Sequence, residues 1–106
     1  MQDFKVIYNI LKTINVVAGD DSFPIVDYIK KQGEQIGENR LAGLLEMMVD
    51  EGYVKGIVVR RYLSSPTPIV YYESPRLTMK GLEYLEENSL MKKAARIAQG
   101  IVDVVK

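Results

Sequence analysis

The sequence contains no cysteine, no histidine and no tryptophan. Without cysteine there is no disulfide, no zinc–thiolate site and no thiol nucleophile, and a reducing compartment is the natural home. Without histidine the chain lacks the commonest general base and the commonest transition-metal ligand. Net charge is missing too: 14 Lys and Arg balance 14 Asp and Glu. The basic excess of a typical nucleic-acid binder is therefore absent, and any nucleic-acid surface must come from local distribution. No run approaches the roughly 18 apolar residues of a membrane span. The start, Met1-Gln2-Asp3-Phe4, lacks the basic-then-apolar layout of a signal peptide. The expectation is a cytoplasmic protein with no membrane partner. No P-loop, dinucleotide fingerprint, nucleophile elbow or metalloprotease helix motif occurs either. That points away from an enzyme, with no catalytic residue, no metal and no cofactor expected.

What is present is an ordinary globular composition, 47% hydrophobic over 106 residues. That length suits a single domain spanning 1–106. Phe4, Ile7, Tyr8, Leu11 and Ile14 recur at helical spacing, which predicts a helix over 3–17. Gly19-Asp20-Asp21-Ser22 interrupts it. Asp21 or Ser22 is placed to cap a second helix, with Pro24 in its first turn and Gly33 near its end. Ile36-Gly37 reads as a tight turn. A third helix follows over 38–51, with Leu41, Leu44, Leu45 and Met48 as its inward stripe and Gly52 as its C-terminal glycine.

The apolar rhythm then changes. Residues 53–63, rich in Val, Ile and Tyr, read as a strand. Ser64 to Pro68 form a turn, 69–72 return as a second strand, and Pro75 is expected to end it. Thr78 is placed to cap a helix over 79–87, and Ser89 to cap a last helix over 90–105. The fold class is mainly α with a β-hairpin (α+β), in the order helix, helix, helix, strand, strand, helix, helix. Two helices joined by a short turn and followed by a hairpin form a winged helix-turn-helix, here with a helical extension from about residue 89.

Leu77-Thr78-Met79-Lys80-Gly81-Leu82-Glu83-Tyr84-Leu85 resembles the Leu-Thr-x-x-Gly-x-x-Tyr-Leu segment that follows the wing in the YjcQ family. Glu51-Gly52-Tyr53-Val54-Lys55-Gly56 is similar to that family's helix-to-strand junction. The resemblance implies a small winged-helix protein of Gram-positive bacteria or their prophages, and it carries no biochemical role with it.

The third helix occupies the recognition position. Asn39, Gly43, Glu46 and Asp50 face outward there, and only Asn39 and Arg40 are of the types that read bases. Glu34, Glu38, Glu46, Asp50 and Glu51 stand against Arg40 alone, a balance that opposes phosphate. In and after the hairpin, Lys55, Arg60, Arg61, Arg76 and Lys80 stand against Glu73. Arg60 and Arg61, adjacent on a strand, are expected on opposite faces. The hypothetical DNA-binding set is Asn39, Arg40, Lys55, Arg60, Arg61 and Arg76, for a double-stranded DNA partner. The same cations also serve to protect a strand edge. In the last helix Leu90, Ala94, Ile97, Ile101 and Val105 make a narrow stripe expected to join two chains as a homodimer, with docking on the first helix as the alternative. The function expected first is a DNA-binding transcriptional regulator; the alternative is a module that binds another protein through Gly43, Met47 and Asp50.

Overall fold

The computed structural model describes the backbone of residues 2–98 and the side chains of residues 3–89. Three helices come first: α1 (Gln2–Val16), α2 (Ile25–Ile36) and α3 (Glu38–Asp50). An antiparallel hairpin of β1 (Val54–Arg60) and β2 (Ile69–Leu77) follows, and then α4 (Met79–Ala98). This is an α+β fold in a winged-helix arrangement, with α2 and α3 as the helix pair and the hairpin as the wing.

Each junction has a local cause. The turn expected at Ile36-Gly37 is a single residue: Gly37, at φ 97°, ends α2 and begins α3. Its N–H donates to the Gly33 carbonyl at 2.6 Å, and its own carbonyl accepts from Leu41 at 3.0 Å. Gly33 is buried where α2 crosses α3, and a Cβ there would lie 2.9 Å from the Leu41 side chain. At the end of α3, Gly52 takes φ 80°. The Gly52 N–H donates to Val49 and the Tyr53 N–H to Met48, the paired bonds of a Schellman motif.

The α1–α2 connection differs from expectation. Neither Asp21 nor Ser22 caps α2; Pro24 holds that position without a side-chain cap. The polar groups are used earlier, because Asp20 accepts from both the backbone N–H and the hydroxyl of Ser22, at 3.0 and 2.6 Å. An apolar contact takes over from the missing cap: Phe23 packs on Tyr28, ring centroids 6.5 Å apart, as a hydrophobic staple across the first turn.

The hairpin is longer than expected on its return. β2 runs through Pro75 to Leu77, since the register shifts between Lys55 and Ile57. Glu73, Ser74 and Pro75 bulge out of β2 there, opposite Gly56 alone at φ 83°, so the ladder needs no N–H from the proline. The separation expected at Asn88-Ser89 is also absent, and α4 runs on unbroken. Asn88 donates its side-chain amide to the Tyr84 carbonyl at 2.8 Å, one turn back, so its polar group is satisfied without ending the helix.

The core lies between the helices and the inner face of the wing. α1 supplies Val6, Ile7, Ile10, Leu11 and Ile14, α2 supplies Ile29, and α3 supplies the expected Leu41, Leu44, Leu45 and Met48. Val54 and Ile57 from β1 and Leu85 from α4 close it. Phe4 was expected in the inward stripe of α1 and is instead 61% exposed, because the helix start projects past the core. Val6 and Ile10 fill the interior in its place.

Candidate functional site

Of the six residues proposed for DNA, Asn39, Arg40 and Arg61 border one groove between α1 and α3, and Lys55, Arg60 and Arg76 lie along the wing. Arg40, on the first turn of α3, forks its Nε and Nη2 onto the two carboxylate oxygens of Asp3 in α1. Arg61, just past β1, forks in the same way onto Glu46 of α3, at 3.1 and 2.6 Å. Bidentate arginine–carboxylate geometry is the strong form of this contact. These forks hold the carboxyls of Asp3 and Glu46 below their ordinary ranges and raise the two guanidinium pKa values further, chiefly through the hydrogen bonds themselves. Two of the five proposed phosphate-binding cations are therefore already matched by carboxylates.

The others are spread along the wing. Lys55 and Arg76 face each other in register at its base. Arg76 borders a hollow that also holds Asp20, Asp21 and Glu73. Arg60 stands at the far end of β1, five residues or roughly 16 Å from Lys55, and lies near Tyr71 on the outer side of the wing. Asn39 is exposed at the start of α3. In the proposed dimer stripe, Leu90, Ala94 and Ile97 lie on α4 with side chains outside the described set, and Ile101 and Val105 lie outside the described residues.

What the two forks do enclose is a groove of about 660 Å³ between α1 and α3. Its floor is Ile7 and Leu44, both in the core. Its sides are Phe4 and Met47, 61% and 56% exposed. Gly43 opens it, since a Cβ there would meet nothing within 4 Å. The Arg40–Asp3 and Arg61–Glu46 forks border it, four charges summing to zero. Sequence reasoning placed Gly43 and Met47 on this surface but missed Phe4 and Asp3. The signal that could have found Phe4 was its place within the first turn of a helix, where a side chain overhangs the core.

A second hollow, of about 360 Å³, lies at the start of α3, bordered by Asn39, Glu38, Lys30 and the wing residues Thr67 and Pro68. Lys30 carries its ammonium 5.8 Å from the Tyr72 ring centroid. The α3 N-terminus there has no side-chain cap.

The segment 77–85 has a different role. Thr78 donates its hydroxyl to the Gly52 carbonyl and accepts the Gly81 N–H at 3.1 Å. A Cβ on Gly81 would fall 2.3 Å from the Tyr53 carbonyl oxygen, so only glycine allows α4 to start this close to the α3–β1 junction. Tyr84 packs on Tyr53 with centroids 4.9 Å apart, and Leu85 is buried. The model of the family described as YjcQ protein matches residues 8–104. The chain belongs to the YjcQ family. In this YjcQ chain the Leu-Thr-x-x-Gly-x-x-Tyr-Leu segment is thus a joint that locks helix, wing and helix together. Neither a curated protein nor a solved structure matches the chain. Among the described residues of this YjcQ protein, no helix is long and apolar enough to cross a membrane.

Proposed function

We propose that this YjcQ protein is a non-enzymatic docking module that receives a protein partner in the α1–α3 groove. The supporting observation is the pair of arginine forks bordering Phe4, Gly43 and Met47. An exposed recognition helix built for duplex DNA offers unpaired cations and amides. Here the guanidiniums are matched, Glu38 and Asp50 add negative charge, and the centre is apolar. The partner segment carries one apolar anchor for the opening above Gly43, with the adaptable Met47 closing against it. Both signs of charge flank that anchor, to meet the outer edges of the two forks.

Duplex DNA is the second reading, in which the chain is a transcription regulator of a bacterium or prophage. The gathering of Lys30, Asn39 and the wing tip around the uncapped start of α3 favours it.

One set of proteins separates the two. Wild type, Gly43→Gln and Met47→Glu serve as baits in a Gram-positive host lysate, and each is titrated with a random fluorescent duplex. Docking in the groove requires a protein held by wild type and lost with both variants, with no duplex binding at tens of micromolar. Capture indifferent to both substitutions rejects the groove. Duplex binding that weakens steeply with salt supports the second reading instead.

A further inference from the structure

The outer side of the wing is not absorbed by the docking groove. On this face Val58 and Arg60 on β1 and Ile69 and Tyr71 on β2 alternate outward, and Glu73, just past the last regular pair, borders the same hollow as Val58, Arg60, Tyr62 and Tyr71. Val58 stands opposite Tyr71 and Arg60 opposite Ile69. Tyr62, just past β1, reaches back so that its hydroxyl lies 3.4 Å from that of Tyr71. Ile69, Tyr62 and Tyr71 are each more than 40% exposed. The result is a row with an apolar middle, a cation at the tip end and a carboxylate at the base end. Among the described residues neither Arg60 nor Glu73 has an ion-pair partner.

That order is self-complementary. A two-fold axis through the Val58–Tyr71 pair lays a second row on the first in reverse direction. Tyr71 then meets the partner's Val58 and Tyr71, and Arg60 meets the partner's Glu73 while Glu73 meets the partner's Arg60. An isologous contact needs this reciprocity, with residue i on j and j on i. A row of one charge sign would repel its copy, and a row of Lys would keep the face single.

We infer that the occupant of this face is a second copy of the same chain, stacked wing on wing about a two-fold axis. The contact is independent of the α1–α3 groove and of the α4 stripe. Six residues a side is well short of the roughly 20–30 a side of a stable interface, so the dimer is weak.

Charge reversal tests it, because both end residues are exposed and their exchange leaves the core untouched. Sedimentation velocity of the full chain from about 10 µM to about 1 mM spans the expected equilibrium. Wild type should pass from monomer to dimer across that range. Arg60→Glu and Glu73→Arg should each weaken dimerisation by about tenfold or more, since each creates two like-charge contacts. The double exchange, Arg60→Glu with Glu73→Arg, should restore it, and circular dichroism should be unchanged throughout. A wild type that stays monomeric at the top concentration overturns the inference. So does a dimer indifferent to the single reversals, as one held by α4 would be, or one the double exchange does not rescue.

Discussion

Gly56 passes so close to Ser74 that a Cβ on it would fall 1.9 Å from the Ser74 carbonyl oxygen. The same residue sits at φ 83°, in the region that other L-residues occupy only with strain. The bulge that carries β2 through Pro75 therefore rests on one glycine. Gly56→Ala should cost more than about 2 kcal/mol, from backbone strain and the forced separation of the strands. Urea denaturation of the variant measures it, and a loss under half that size would mean the strands part easily at this point.

Thr78 is expected to matter through two bonds at once. Thr78→Val keeps the shape but removes both the Gly52 contact and the cap on Gly81. The loss should be about 1–2 kcal/mol, the upper part of the range for a helix N-cap. Thr78→Ser should recover most of it. Thermal unfolding of the three proteins gives the comparison.

Gly43 should behave in the opposite sense. It lies mid-helix with open space around its missing Cβ. Gly43→Ala should therefore stabilise the fold by roughly 0.5–1 kcal/mol, by restricting the unfolded chain and favouring the helix. A rise in melting temperature together with weaker partner capture would mark Gly43 as kept for the groove rather than for the fold. An unchanged or lower melting temperature would contradict the open space.

The two forks predict an acid limb. Asp3 and Glu46 have folded pKa values below their ordinary 3.8 and 4.5, each first through its hydrogen bonds to arginine. A depressed folded pKa contributes stability above the unfolded value and loses it as pH falls through the folded one. Stability should thus decline below about pH 4.5, and the decline should be shallower in Asp3→Asn and Glu46→Gln. Both pairs are exposed, so the difference should shrink at high salt. Denaturant midpoints against pH in low and high salt check both points.

At the alkaline end Tyr72 should contribute, together with Tyr84. Burial alone raises the Tyr72 phenol pKa above the ordinary value. The unfolded chain then ionises first, so stability is complete below about pH 10 and is lost as pH rises towards the folded value. Tyr72→Phe should flatten that loss in part, with Tyr84, whose phenol pKa burial also raises, carrying the remainder. Midpoints between neutral and strongly alkaline pH decide it.

Much of the fold was legible along the chain because its causes are local. The stripe of Leu41, Leu44, Leu45 and Met48 follows from helical period, and Gly37 and Gly52 mark the only backbone positions where those turns close. The loss of helical rhythm after Tyr53, in a stretch rich in Val, Ile and Tyr, located the wing. Asn88-Ser89 misled for the same reason: their residue types favour a helix end, but a single backward bond to Tyr84 absorbed the preference.

The candidate site was legible only in part. Period alone placed Gly43 on the outward face of α3 and Met47 on its flank. That the face is electrically closed depends on Arg40 meeting Asp3 from 37 residues away and Arg61 meeting Glu46 from 15. Linear order therefore determined the elements, their sequence and the glycines that join them, since period, caps and turns act over a few residues. Only tertiary structure decided which charges cancel, that Phe4 overhangs the core, and that Arg60 and Glu73 end one exposed row. Those outcomes depend on which helix and strand faces meet, and no spacing within a single element encodes that.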